Sequence, residues 1–139
     1  MADYFTEFST YIPYANDAQR DWLLAALQKA NTSTGSEICK YEDHPKEHGI
    51  WVASEDYGNC EALAAVVSAY QRRYKLTTPW TLGWANTVSR PIVDSFSGGA
   101  LCVYRGKSFY AIPEDTISIW LRNQGWKNHA GAQIKRRPS

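Results

Sequence analysis

The chain lacks every complete signature that would announce a chemistry from sequence alone. No GK[ST] step follows its glycines, so there is no phosphate-cradling P-loop, and no dinucleotide fingerprint is present. Cysteine is scarce: Cys39, Cys60 and Cys102 lie far apart without a CxxC pair, an odd count that suits reduced thiols better than a disulfide framework. Nothing approaches the ~18 apolar residues of a membrane span, and Met1-Ala2-Asp3-Tyr4 has neither the basic segment nor the apolar run of a secretory signal. A cytoplasmic protein is therefore expected, without membrane contact and without a cofactor.

A strong charge of either sign is missing too. The formal net charge is +1, but residues 126–139 carry Lys127, Lys135, Arg136 and Arg137 and no acid, which leaves residues 1–125 with 11 bases against 14 acids. A dedicated duplex-DNA binder shows a basic surplus clustered on one face, and a DNA mimic is extremely acidic; this chain is neither. What it has in quantity is aromatic surface, six Trp, nine Tyr and four Phe in 139 residues. That is ample to offset the chain entropy lost on folding into one domain, and a chain of this length buries roughly two thirds of its unfolded surface. We expect one domain over residues 1–125 and a basic tail over 126–139, flexible because it has little apolar content.

Hydrophobic periodicity gives the order of elements. Tyr4, Phe8, Ile12 and Tyr14 alternate with polar residues, as in a half-buried strand. Asn16 and Gln19 resemble a capping box before the stripe Trp22, Leu23, Ala26, Leu27 and Ala30, which predicts a helix to about Lys29 followed by a polar loop from Asn31 to Ser36. Glu37 to Glu42 and Gly49 to Glu55 read as a hairpin. Asn59 caps a second helix through Leu63, Val66, Val67, Tyr70 and Tyr74, with Arg72, Arg73 and Lys75 at its negative end. The next strand puts Trp80, Leu82, Trp84, Asn86 and Val88 on one face and small residues on the other. A loop from Pro91 to Gly99 precedes a tight hairpin, Ala100 to Tyr104 and Ser108 to Ile112 about Arg105-Gly106-Lys107. Glu114 or Asp115 opens a last helix through Ile117, Trp120 and Leu121. The order β-α-β-β-α-β predicts an α+β fold, a split βαβ (ferredoxin-like) two-layer sandwich with an added C-terminal hairpin strand and a third helix.

Four groups of residues invite a chemical reading. His44-Pro45-Lys46-Glu47-His48 matches HxxEH, a zinc-peptidase pattern that needs a helix to bring both imidazoles to one face; Pro45 favours a short solvated turn instead, and no metal site is expected, although Cys39 lies close enough in sequence to be weighed as a further ligand. Cys60 stands at a predicted helix N-terminus, where the dipole would lower its pKa, and Cys102 could be a second nucleophile; the plainer reading makes both small buried hydrophobes. Lys135-Arg136-Arg137 could touch a phosphate or an acidic protein, yet cations at a frayed end are commonplace. The fourth group is Trp84, Asn86, Thr87, Ser89, Arg90, Asp94, Phe96, Ser97, Gly98 and Gly99, which concentrates amide, hydroxyl, guanidinium and carboxylate groups at a strand end and loop. Its glycines would let backbone amides approach an anion or polar partner. The plainer alternative pairs Arg90 with Asp94, spends Asn86 and Thr87 on the loop backbone and uses Gly98-Gly99 for a bulge.

The same stretch resembles an uncharacterised group of small accessory proteins carried by bacteriophages and plasmids. Trp84, Thr87, Ser89-Arg90-Pro91, Phe96 and Gly98-Gly99-Ala100 carry the likeness. Ser97 departs from it, standing where a third glycine is usual, as does Val88 where Cys is common. The resemblance implies a mobile-element accessory protein and supplies no activity. With no catalytic set, small size and abundant aromatics, which dominate binding hot spots, the expected function is non-enzymatic: binding and inhibiting a host protein, such as a bacterial defence component of the CRISPR type. Nucleic acid is not the expected partner. A protein that sequesters a small molecule or nucleotide in a pocket of Trp84, Asn86, Thr87, Arg90 and Asp94 is the alternative, and a small hydrolase the third reading.

Overall fold

Residues 4–33, 35–88 and 97–126 are described by a computed structural model. Strand β1 (Tyr4–Pro13) points Phe8 and Ile12 to one side and Tyr11 to the other, which is the period-two pattern of its sequence made physical. It pairs antiparallel with β3 (Gly49–Ser54), setting Ile12 against Ile50, and antiparallel with β4 (Trp80–Val88) over its first residues. β2 (Lys40–His44) lies outside β3, while β5 (Ser97–Tyr104) and β6 (Lys107–Ala111) continue beyond β4. Together they make an antiparallel six-stranded sheet, in the order β2-β3-β1-β4-β5-β6, so the chain is α+β as expected.

Helices α1 (Asp17–Ser33) and α2 (Cys60–Tyr74) cover one face of that sheet. Ile12, Ile50, Val52, Leu82, Leu101 and Val103 from the strands meet Leu23 and Leu27 of α1 and Leu63 and Val67 of α2, all essentially fully buried. Each such side chain stabilises the fold by roughly 1.5–3 kcal/mol. The caps work nearly as expected. Asn16 Oδ1 accepts from the Gln19 amide at 2.9 Å, but the Gln19 side chain reaches back one residue further than a capping box, to the Ala15 amide at 2.7 Å. Asn59 accepts from the Ala62 amide at 3.0 Å, and Lys75 closes α2 in the left-handed region at φ 53°.

Several boundaries differ from the sequence reading, four of them for an identifiable local reason. α1 runs on to Ser33 because Asn31 is not loop-forming: its side chain accepts from the Ile38 amide at 2.7 Å and donates to the Cys39 carbonyl at 3.0 Å. β2 consequently begins at Lys40, since the backbone of Ile38 is spent on Asn31 and on the Asn59 amide. Ser97-Gly98-Gly99 belong to β5 rather than to a loop. α3 (Pro113–Asn123) starts with Pro113 in its first turn, where the missing amide hydrogen costs nothing, and Ile112 supplies no side-chain cap. Its Ile117, Ile119 and Trp120 are exposed and not part of the core. No described helix is long and apolar enough to cross a membrane.

The β5–β6 turn, Arg105-Gly106, has both central residues at positive φ (50° and 77°), the requirement of a two-residue hairpin of type I′. Buried Gln71 of α2 pins it. Its Oε1 accepts from the Gly106 amide at 3.0 Å while its Nε2 donates to the Val103 carbonyl at 2.8 Å, and Ser68 donates to the Gly106 carbonyl. Replacing Gln71 by Leu would leave a buried amide and carbonyl unpaired. Chemical unfolding of Gln71→Leu should show a loss of roughly 2–4 kcal/mol, with the first amides to gain exchange lying at residues 103–106.

Candidate functional site

β4 and β5 set Trp84 opposite Gly99 and Asn86 opposite Ser97. The glycine is a steric necessity: a Cβ at Gly99 would stand 2.8 Å from both the Trp84 ring and the Ala111 carbonyl. Gly98 is similarly confined, with the Trp84 carbonyl 2.7 Å from where its Cβ would be. The indole thus lies across β5 and meets Tyr110 of β6 edge to face, with centroids 6.4 Å apart. One strand step on, Asn86 accepts from the Thr6 hydroxyl at 3.0 Å and donates to the Ser97 hydroxyl at 2.9 Å. Thr6, Asn86 and Ser97 form a polar rung across three strands.

These residues line one side of a cavity of about 490 Å³. The entry to α2 supplies another wall. Ser54 accepts from the Gly58 amide at 2.8 Å and donates to the Thr6 carbonyl at 2.8 Å, and Gly58 presses so close to Phe8 and Ser54 that a Cβ would clash at 2.5 Å. That anchorage delivers Asn59, Cys60 and Glu61 to the cavity. Ile112 and the first turn of α3, with Glu114 and Asp115, close the far side.

Aromatic rings therefore face a rim of carboxylates. Burial raises the Tyr110 hydroxyl pKa, helped by the nearby Glu61 and Cys60. Burial likewise pushes the Cys60 thiol from its ordinary 9.0 up to about 11, with Glu61 adding to the shift. Of the two readings of Cys60, activation by the helix N-terminus and a small buried hydrophobe, this upward shift favours the second. A cavity of this character favours cationic or neutral polar groups over phosphates.

No family model, curated protein or solved structure matches this chain. The site is thus defined by its geometry alone.

Of the ten residues singled out in sequence, Trp84, Asn86, Ser97 and Gly98 line the cavity and Gly99 makes room for Trp84. Thr87 lies on the opposite face of the sheet, where its hydroxyl donates to Glu7 at 3.1 Å. Ser89, Arg90, Asp94 and Phe96 lie outside the described residues, as do Pro91 and the tail cations Lys135, Arg136 and Arg137. Sequence reasoning overlooked Thr6, Glu61 and Tyr110, and it placed Glu114 and Asp115 only as a helix start. A usable signal was present: the first turns of two helices, after Asn59 and after Ile112, carry acids.

The remaining candidates sit elsewhere. Pro45–Glu47 form a single 3-10 turn and His48 adopts φ 50°, so the HxxEH segment is not the helix its chemistry requires. His44 instead hydrogen-bonds the Tyr11 hydroxyl through Nδ1 at 3.0 Å and stacks on Trp51. Among the described residues no three His, Cys, Asp or Glu side chains are placed to hold a metal ion. Cys39 is buried and its thiol is raised to about 12, first by burial and then by Glu37; Cys102 is half-buried on β5. Alkylation by iodoacetamide, followed by peptide mass spectrometry, should show Cys60 almost inert at pH 7–8 and reacting faster as pH climbs from 9 toward 11. The matching contribution to stability is intact below pH 9, where the unfolded thiol is still protonated, and is lost as pH rises through 11.

Proposed function

We propose that this chain is a non-enzymatic binding protein of a phage or related mobile element that docks on a host protein and inhibits it, the target being a bacterial defence component. The observation that carries this reading is the cavity beside Trp84, with its aromatic wall and its rim of Glu61, Glu114 and Asp115. Such a site suits an Arg or Lys side chain of a partner, because the ring faces attract cations and the carboxylates complete the match. Exposed Ile117, Ile119 and Trp120 stand on the helix that closes the cavity, adding apolar side chains that a partner could cover. The raised Cys60 and Cys39 thiols support a non-catalytic reading, since thiolate is the nucleophile.

The likeness to phage and plasmid accessory proteins belongs to the same proposal. Its Trp and its glycine pair prove to be cross-strand neighbours, Trp84 opposite Gly99, which gives that pattern a packing rationale. We also read β1 to β4 with α1 and α2 as a split βαβ, ferredoxin-like two-layer sandwich, extended by the β5–β6 hairpin and α3. The support is that β3 lies between β1 and β2 and pairs antiparallel with each.

A second reading, a sequestering small-molecule binder, is favoured by the cavity's size, which lies within the ~300–1,000 Å³ of ligand pockets. The carboxylate rim turns that reading away from nucleotides. Affinity capture from bacterial lysate with wild-type and Glu61→Lys chains tests the leading proposal. A stoichiometric host protein should be retained by the wild type and depleted at least tenfold by the variant, with unchanged circular dichroism. Equal retention by both would remove the cavity from the interface, and a melting shift of several degrees with a small organic cation such as spermidine would favour sequestration instead.

A further inference from the structure

A cavity of about 350 Å³ lies where the end of β1, the first turn of α1, the second half of α2 and the start of β4 converge, and it shares no lining residue with the one beside Trp84. Its lining divides into buried Ile12, Val67 and Trp80 and the more exposed Pro13, Leu76 and Pro79. None of the described residues that line it is charged. Burial raises the Tyr70 hydroxyl, also in the lining, from its ordinary 10.0 to about 12, as surroundings poor in polar groups do.

Most polar groups that reach this cavity are already spent. The Tyr70 hydroxyl donates to the Pro13 carbonyl, the Trp80 indole to the Tyr11 carbonyl and the Gln71 amide to the Val103 carbonyl, each at 2.8 Å. Gln19 is the exception. It is only 8% exposed, and its Oε1 accepts from the Ala15 amide at 2.7 Å. A backbone amide can only donate, so the atom facing Ala15 is the oxygen and the place of the nitrogen follows. That nitrogen, Nε2, has no hydrogen-bond partner among the described residues. Among them no side-chain nitrogen or oxygen that is fully buried goes without a partner. Nε2 therefore reaches open space, and the space that Gln19 lines is this cavity.

We propose that this cavity binds a small, neutral, mainly apolar molecule with one hydrogen-bond acceptor, a carbonyl oxygen that takes the free Gln19 amide hydrogen. Its volume falls within the ~300–1,000 Å³ of ligand pockets, at the small end. An ion would lose its hydration here and gain no opposite charge. A wholly apolar occupant would strip water from Nε2 and leave a donor unpaired, which is costly in a buried place. A carbonyl on an apolar body satisfies both the walls and the amide. The site goes beyond the docking proposal and stands independently of it.

Acetophenone and ethylbenzene match in shape and differ at the carbonyl, and benzoate is their charged counterpart. Titrated into the isotope-labelled full chain and followed by NMR, acetophenone should saturate while moving the Gln19 side-chain amide and the Trp80 indole resonances together, and benzoate should move neither. Gln19→Met should weaken acetophenone about three- to tenfold, the loss of one hydrogen bond, and leave ethylbenzene within about twofold. Gln19→Glu keeps the oxygen that holds Ala15 and removes the donor, so it should weaken acetophenone at least as much. Glu61→Lys should leave the titration as it is. The inference is overturned if acetophenone does not saturate, if it moves the Trp84 indole and not that of Trp80, or if both Gln19 variants leave its preference over ethylbenzene unchanged. The first two outcomes are read on the wild type and depend on no variant folding.

Discussion

Two helices cannot cover six strands. A helix with its side chains is ~10 Å across and strands repeat at ~4.8 Å, so α1 and α2 together shield the width of about four. The shortfall falls on the β5–β6 hairpin. α2 holds one end of that hairpin, where Gln71 and Ser68 grip Val103 and Gly106. At the other end, Ser97 to Gly99 beside Tyr110 and Ile112, neither α1 nor α2 fills the space above the strands, and the cavity opens there. Trp84 partly fills the gap by lying across Gly99, and the first turn of α3 closes one side of it. The cavity and the exposed side of α3 both follow from one mismatch of widths.

Much of this was legible in the amino-acid order wherever a period had a single physical cause. Phe8 and Ile12 alternate because one face of β1 is covered; Leu63 and Val67 recur because one stripe of α2 is buried; Asn59 reads as a cap because its side chain takes an orphan amide. Legibility failed where a side chain served a distant segment. Asn31 looks like loop material by propensity, yet it fastens the chain entering β2 and so prolongs α1. Gly98 and Gly99 look like loop residues because glycine weakens a strand, whereas here a strand needs them to clear Trp84.

The site divides along the same line. Trp84, Asn86 and Ser97 drew attention as a dense local cluster, but the other half of the polar rung is Thr6, 80 residues from Asn86. Tyr110 and Glu61 reach the cavity only through strand pairing and the anchoring of Gly58. At Cys60 the sequence offered two readings, a thiol activated by the helix end and a small buried hydrophobe, and burial favours the second. Amphipathic period likewise shows that α3 has an apolar stripe without saying whether anything lies against it.

The face of the sheet opposite α1 and α2 holds one arrangement whose geometry is set by its neighbours. The Tyr11 hydroxyl approaches Nδ1 of His44, and Glu42 stands 3.6 Å from Nε2 of the same ring, which is stacked on Trp51. The hydrogen bond from the ring edge and the stacking on Trp51 act on the same imidazole, so it is held both in its plane and by its face. This side of the protein thereby presents a ring of set orientation.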